Sequence, residues 1–177
     1  MKVEFWDLYD KNRIKTDKTV VRGEKFDTNL YRVVVHLCIF NSKGQMLIQH
    51  RQSFKHGWSD LWDISVGGHV VSGETSSQGM EREAKEELGY NVNLENIRPS
   101  LTVNFNSGFD DIYIVKDDVD IDSLNLQYEE VKEVKWAYAD EILRMIDEKT
   151  FIPYHKSYIQ ILFDMKDYMG EHNKSDL

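Results

Sequence analysis

One stretch, residues 67–90 (GGHVVSGETSSQGMEREAKEELGY), constrains the fold of this chain more than any other. Its second half carries the signals of a helix: Thr75 and Gln78 form a T-x-x-Q capping box, and Gly89 supplies the stop. Apolar residues recur at a spacing of four, as expected for one face of a helix: Met80, Ala84 and Leu88. The stretch therefore predicts a glycine-containing loop followed by a helix that is apolar on one side.

Three glutamates on this helix stand at positions i, i+3 and i+4: Glu83, Glu86 and Glu87. This spacing brings their carboxylates to one side of the helix. Carboxylates at such short distances repel one another unless a cation lies between them. Hard oxygen ligands suit Mg²⁺ or Mn²⁺ rather than Zn²⁺, for which His and Cys are expected. The alternative is a charged helix face exposed to solvent.

The complete spacing resembles the Nudix box of the Nudix hydrolases, G-x5-E-x7-R-E-U-x-E-E-x-G-U, in which U is apolar. Every charged and glycine position of that motif is present: Gly68, Glu74, Arg82, Glu83, Glu86, Glu87 and Gly89. Ala84 is smaller than the usual aliphatic residue, and Tyr90 is aromatic where an aliphatic residue is usual. Neither departure affects a metal ligand of the motif.

Hairpin-like strands combined with a crossover helix predict an α/β fold with helices on both faces of a mixed sheet. The resemblance implies the same Nudix-like α/β/α sandwich, to which we add an N-terminal β-hairpin. We expect one domain over residues 1–177, with a hairpin extension (1–29), a Nudix core (30–153) and a C-terminal helix and tail (154–177). The last helix is predicted to begin at Pro153 and reach Met169, with its core-facing residues at Tyr158, Ile161, Leu162 and Met165. Other predicted elements are strands at 3–9, 17–22, 31–40, 46–50, 61–66, 101–105, 111–115 and 131–137, and a helix at 138–146.

Composition limits the possible partners. The net charge of −9 argues against binding a nucleic acid polymer through a basic face, whereas a small anionic substrate remains compatible if metal ions supply positive charge locally. The longest apolar run, residues 33–40, is too short to cross a bilayer, and no signal peptide is visible at the N-terminus, so we expect no membrane association. The single cysteine, Cys38, excludes an internal disulfide and agrees with a cytoplasmic location.

The resemblance implies that water attacks a diphosphate bond in a nucleoside diphosphate derivative or a related organic diphosphate. By position in the motif, the metal ligands are the Gly68 carbonyl, Glu83, Glu86 and Glu87. Glu74 and Arg82 are expected to hold the loop and helix in shape. Among the candidate catalytic residues Glu86, Glu87 and Glu130, we expect the general base to be Glu86 or an acid from a distant loop, for which Glu130 beside Glu129 is the candidate.

Three cations close to the motif in sequence are candidate substrate-binding residues: His50, Arg51 and Lys55. A surface role is the alternative for each of them. The hairpin and the C-terminal helix flank the core, and a homodimer could form through either of them.

The whole chain is similar to the Nudix branch that contains isopentenyl diphosphate isomerase, which uses a cysteine in a W-T-N-x-x-C-x-H-P stretch. The corresponding residues here are 62–70, and Gly67 occupies the cysteine position. Because glycine has no side chain to transfer a proton, and Cys38 lies in another strand, hydrolysis is favoured over isomerisation. A non-catalytic nucleotide-binding module is the third hypothesis; such a module is expected to have lost a glutamate of the box, and this chain retains them all.

Overall fold

The computed structural model describes residues 3–172, and the last five residues of the predicted C-terminal tail lie outside this range. Its helices are α1 (Ser76–Leu88), α2 (Ala139–Asp147) and α3 (Lys156–Met165), with a short 3₁₀ turn at Ile121–Ser123. Its strands are β1 (Phe5–Tyr9), β2 (Lys15–Val21), β3 (Arg32–Phe40), β4 (Met46–Arg51), β5 (Trp62–Asp63), β6 (Val66–His69), β7 (Leu101–Phe105), β8 (Gly108–Lys116) and β9 (Val131–Ala137). None of the helices in this part of the chain is long and apolar enough to span a membrane.

Seven strands form a mixed sheet organised around β3. This strand pairs with β8 in parallel and with β6 in antiparallel orientation, and it meets β4 only at its end. Strand β4 continues the sheet through antiparallel pairing with β5 and β9, and β7 pairs with β8 at the other side. The predicted α/β fold with a mixed sheet is confirmed.

Both faces of this sheet are covered, which explains why β3 is apolar on both sides. Leu37 and Ile39 belong to a buried cluster with the apolar side of α1. Cys38 and Phe40 alternate with them and pack in a second cluster with α2 and α3. The helices on the two faces therefore fix β3, and with it the residues at its N-terminal end.

The predicted N-terminal hairpin is also confirmed: β1 and β2 form a separate two-stranded antiparallel sheet. Its own small core contains Trp6, Leu8 and Val20. The hairpin contacts the loop that precedes α1, because the Ser72 backbone N–H donates to the Phe5 carbonyl at 2.7 Å. This contact places the hairpin next to the residues of the Nudix box.

Three predicted elements differ from the structure in their bounds by more than two residues. The strand expected at 111–115 extends over Gly108–Lys116, because its whole length pairs with β3. The strand expected at 61–66 divides into β5 and β6, and β6 includes both glycines because it pairs with β3 from Leu37 to Val34. The last helix begins at Lys156 instead of Pro153 and ends at Met165 instead of Met169. It begins late because the Ile152 backbone N–H donates to the Trp62 carbonyl at 2.9 Å and holds this segment extended.

The interior face of α3 also differs from the prediction. Ile161 was expected to face inward with Tyr158, Leu162 and Met165, but it is 42% exposed. The buried residues of this helix are Ile159, Leu162, Phe163 and Met165.

Candidate active site

A cavity of about 650 Å³ opens where β3, β6 and the second half of α1 meet. The capping box positions α1 beside it: the Gln78 N–H donates to Thr75 Oγ1 at 3.3 Å, and the Thr75 N–H donates to Gln78 Oε1 at 2.9 Å. Because the apolar side of α1 packs on the sheet, its glutamate side faces the cavity. Four residues with proposed metal-binding roles line it together: Gly68, Glu83, Glu86 and Glu87.

Arg82 connects the loop to the helix. Its Nε donates to Glu74 Oε1 at 2.8 Å, its Nη2 donates to the His69 carbonyl at 2.8 Å, and its Nη1 donates to Glu86 Oε2 at 2.9 Å. Although burial opposes the charged form, hydrogen bonding to Glu74 and the charge of Glu83 raise the pKa of Arg82. The guanidinium therefore stays charged and fixes the loop against α1.

Glu83 lies directly against Gly68. The His69 backbone N–H donates to Glu83 Oε1 at 3.2 Å, and a Cβ built on Gly68 would come within 2.2 Å of Glu83 Cδ. Only glycine leaves room for the carboxylate at this position. Burial raises the pKa of Glu83, and the nearby Arg82 opposes this shift only in part.

Glu87 is the most enclosed acid of the motif, with 5% of its surface exposed. Its carboxylate accepts a hydrogen bond from Gln49 Nε2 at 3.1 Å. Burial and the neighbouring Glu83 raise the pKa of Glu87 to about 8. A buried carboxylate with a single neutral donor is poorly compensated, and a cation beside it would stabilise its charged form.

The donor set fits a hard divalent cation, because the three glutamates of α1 line one cavity and no cysteine lines it. Within residues 3–172, however, no three acidic, His or Cys side chains are gathered closely enough to hold a metal ion as they stand. Glu83 and Glu86 are instead paired with Arg82, at 3.0 and 2.9 Å, and Glu87 is paired with Gln49. A metal ion held by these glutamates would require the side chains to change partners.

The structure brings Arg51, Lys55 and Glu130 into the same cavity. Lys55 forms an ion pair with Glu130, and Arg51 Nη1 lies 3.7 Å from Asp63 Oδ2. Arg51 Nε is buried and has no acceptor among the described residues. Two of the three candidate phosphate-binding cations are thus located at the cavity wall.

His50 is located elsewhere. Its Nδ1 lies 2.9 Å from Glu133 Oε1, and its ring stacks on Trp62 with the centroids 4.8 Å apart. It is not among the residues that line the cavity. His50 and Arg51 are consecutive in β4, and consecutive side chains in a strand point to opposite faces.

Sequence reasoning missed a histidine–aspartate pair at the base of the cavity. His36 Nδ1 lies 2.7 Å from Asp110 Oδ1, and both residues line the cavity. The signal was present in β3, where Arg32 and His36 interrupt an apolar run at even spacing. It could not be interpreted without knowing that β3 pairs with β8, the strand that carries Asp110.

His36 also occupies the space beside Gly67. A Cβ on Gly67 would lie 2.6 Å from His36 Cδ2 and 2.7 Å from His36 Nε2. A cysteine side chain at this position, as in the isomerase motif, would collide with the imidazole. Gly67 thus leaves the space that the His36 ring fills, and no side chain is present at this position to transfer a proton.

The hairpin contributes a wall of the site. Trp6 stacks on His69, with ring centroids 4.3 Å apart and planes 6° from parallel. Burial and the cations Arg32 and Arg22 lower the pKa of His69 to about 3, so its ring is neutral at physiological pH. Glu4 and Arg22, which flank the two strands of the hairpin, line the cavity, although the sequence indicated only that the hairpin packs on the body.

Comparison with known proteins identifies the family of this chain. The family model of the NUDIX domain matches residues 30–159. An uncharacterized Nudix hydrolase from Listeria innocua is 44% identical over 165 residues, covering 93% of this chain and 96% of the relative. An isopentenyl-diphosphate Delta-isomerase from Shigella flexneri is 29% identical over 136 residues, covering 70% of this chain and 73% of that enzyme.

A crystal structure from Deinococcus radiodurans has a similar fold, with a TM-score of 0.71 and 23% identity, covering 90% of this chain and 97% of that protein. This similarity concerns the fold alone. The family match, the identity to the Listeria relative and the complete glutamate motif together lead to one conclusion: the chain belongs to the Nudix hydrolases, a family of pyrophosphohydrolases.

Proposed function

We propose that this protein hydrolyses the diphosphate bond of a nucleoside diphosphate derivative or a related organic diphosphate, using Mg²⁺ or Mn²⁺. The observation that carries the proposal is that the carboxylates of Glu83, Glu86 and Glu87 share one cavity with Arg51 and Lys55. A diphosphate needs both sets of groups, because its negative charge must be neutralised before water can approach the phosphorus.

The proposed metal ligands are Glu83, Glu86, Glu87 and the Gly68 carbonyl. When bound there, a divalent cation neutralises the diphosphate and polarises its oxygens. The protein's own contribution is orientation: Arg82 holds the loop through Glu74 and the His69 carbonyl. Glu86 and Glu87 would exchange their present contacts with Arg82 and Gln49 for the cation. Arg51 and Lys55 are proposed to bind phosphate oxygens, and His50 is not included because of its position.

Two carboxylates are proposed as alternatives for the general base. Glu86 is the more accessible acid of the motif, with a side chain 53% exposed. Glu130 lies in the cavity but is paired with Lys55, so substrate phosphate would have to draw this lysine away. The pH profiles of Glu86→Gln and Glu130→Gln distinguish them, because loss of the base removes the acidic limb of the profile.

The direct test is release of phosphate from a panel of nucleoside di- and triphosphates, nucleotide sugars and dinucleotides, with Mg²⁺ or Mn²⁺ and a coupled phosphatase. We expect metal-dependent turnover, and we expect Glu87→Gln to reduce the rate by about 10²-fold or more. Glu95→Gln, in the exposed loop after α1, is the matched control and should leave the rate unchanged.

Two results would contradict the proposal. Metal-dependent binding that Glu87→Gln weakens, without turnover of any compound, would indicate a binding module. Conversion of isopentenyl diphosphate by the wild-type protein would indicate an isomerase.

We also propose a cytoplasmic location, supported by the free and buried thiol of Cys38. A homodimer formed through the hairpin or α3 stays a prediction that analytical ultracentrifugation would test. The division into a hairpin extension, a core and a C-terminal helix within one domain likewise stays a proposal, which a single cooperative unfolding transition would support.

A further inference from the structure

Five lysine and arginine side chains line the cavity, and four of them have a carboxylate partner within the described residues. The pairs are Arg22 with Glu4, Arg51 with Asp63, Lys55 with Glu130, and Arg82 with Glu74. Arg32 is the exception, since no acid of residues 3–172 lies within ion-pair distance of it.

Arg32 is held in place by groups that do not neutralise it. Its guanidinium carbon lies 5.3 Å from the ring centroids of Trp6 and Phe105 and 5.9 Å from that of Phe26. Its Nη1 donates to Ser107 Oγ at 2.8 Å, and its buried Nε has no acceptor in the described part of the chain. Aromatic faces and one hydroxyl thus orient a guanidinium that keeps unused donors.

An unpaired cation that is half-buried costs free energy, because part of its hydration shell is lost without a compensating anion. Burial accordingly lowers the pKa of Arg32. An arrangement of this kind is stabilised when a ligand supplies the anion. The planar fork of arginine matches the two oxygens of a carboxylate or phosphate group.

The position of Arg32 separates it from the proposed diphosphate-binding cations. It lies at the start of β3, next to the strand that carries Gly68, whereas Arg51 and Lys55 lie at the end of β4 and in the following loop. Arg22, directly after the second strand of the hairpin, lines the same cavity as Arg32. The matched NUDIX region begins at residue 30, so Arg22, Trp6 and Phe26 are additions to the family core.

We propose that Arg32, assisted by Arg22, forms a second anion-binding subsite that takes a phosphate or carboxylate group carried by the substrate beyond the diphosphate that is hydrolysed. This inference rests on the proposed function for the identity of the ligand as a diphosphate compound. It names a substrate class: organic diphosphates with a further negative group on the side of the hairpin.

The test is calorimetric binding, in the presence of Mg²⁺, of two matched pairs of ligands. UDP-glucose and UDP-glucuronate differ by a carboxylate, and ADP and ATP differ by a phosphate. We expect the wild-type protein to bind the more anionic member of at least one pair about ten- to hundredfold more tightly, which is the usual effect of a charge-assisted hydrogen bond. The pair that shows the difference identifies the anion as carboxylate or phosphate.

Arg32→Gln should remove most of this preference, and Arg32→Lys should retain part of it, because the charge remains while the fork is lost. Arg98→Gln, in an exposed loop that does not line the cavity, is the matched control. Thermal unfolding of each variant establishes that it is folded before its binding is compared.

Three outcomes would overturn the subsite. The wild-type protein could bind both members of each pair equally, or a folded Arg32→Gln variant could keep the full preference. The third outcome is that Arg32→Gln weakens the binding of both members of a pair by the same factor. The last outcome would mean that Arg32 binds the shared diphosphate. Measuring turnover of the same ligands distinguishes the failure of this subsite from the failure of the proposed hydrolysis. If binding shows a preference that depends on Arg32 but no ligand is hydrolysed, only the proposed function is contradicted.

Discussion

At the scale of single residues, two adjacent glycines on β6 leave room for side chains that the cavity needs. Gly68 accommodates the Glu83 carboxylate, and Gly67 accommodates the His36 ring. Neither glycine has a positive φ angle, so both are required by close approach and not by backbone conformation. The distances below 3 Å imply that any side chain at either position displaces its neighbour.

Replacing Gly67 by alanine should therefore destabilise the protein, by about 1–3 kcal/mol as for other overpacked sites. His36 cannot easily move aside because Asp110 holds its Nδ1. Urea unfolding of Gly67→Ala, His36→Ala and the double variant measures the effect. We expect the added methyl to cost much less in the His36→Ala background; strictly additive losses would show that the two residues do not collide.

The residues of the motif were predictable from sequence because they lie within one continuous stretch of loop and helix. Arg32 and His36 were not, since only the pairing of β3 with β6 and β8 brings them to the same cavity. Alternation along a strand already predicts that His50 and Arg51 cannot both face one cavity. Which of the two faces it became clear only from the structure, where Arg51 lines the cavity.

At the scale of elements, the hairpin is fastened to the loop before α1 by one buried carboxylate. Asp7 accepts hydrogen bonds from Ser72 Oγ at 2.8 Å and from the Gly73 N–H at 2.9 Å, and Lys15 Nζ lies 2.6 Å from it. Burial raises the pKa of Asp7, but the contacts with Lys15, Gly73 and Ser72 outweigh it and leave the pKa below its ordinary value.

Asp7→Asn should consequently destabilise the protein at neutral pH, by about 1–3 kcal/mol. A carboxyl whose pKa is lowered by folding stabilises the folded state above its unfolded pKa of about 3.9, and this contribution is lost as the pH falls through the lower folded value. Denaturant unfolding between pH 7 and pH 2 should show the two proteins converging below about pH 4. A difference independent of pH would contradict the role assigned to the charge.

Elements with local signals were predicted well, and those defined by tertiary contacts were not. The capping box and the Gly89 stop, which has a φ of 65°, fix α1 where the sequence placed it. The start of α3 depends instead on backbone pairing between Ile152 and Trp62, two segments that are distant in sequence. Local propensity cannot reveal such a contact.

At the scale of the whole molecule, an acidic protein with a net charge of −9 encloses a group of acids in its cavity. Binding of a divalent cation there should stabilise the fold. A ligand that binds only the folded state raises the free energy of unfolding in proportion to the logarithm of the ratio of its concentration to Kd. At a hundredfold excess over Kd, we expect a rise in Tm of roughly 5–10 °C for a chain of this size.

Thermal unfolding with and without Mg²⁺ or Mn²⁺ measures this rise. Glu87→Gln should show a much smaller increase, whereas Glu95→Gln should respond like the wild-type protein. An equal shift in all three proteins would place the cation outside the proposed site.

The sandwich as a whole could be anticipated because apolar strands and a crossover helix leave few arrangements that cover both faces of the sheet. The shape of the cavity could not be anticipated, since it depends on where the hairpin packs against β6. Trp6 carried no signal in the sequence that it would stack on His69.

The parallel ladder between β3 and β8 has a consequence for how the protein acquires its activity. It runs from Arg32 with Gly108 to Phe40 with Lys116, and the whole of α1 lies between the two strands in sequence. Pairings of such long range form slowly, because a large loop must close before any contact is gained. His36 belongs to one strand of this ladder and Asp110 to the other. The glutamate helix is local in sequence and can form early, but the cavity is assembled only when the two strands pair.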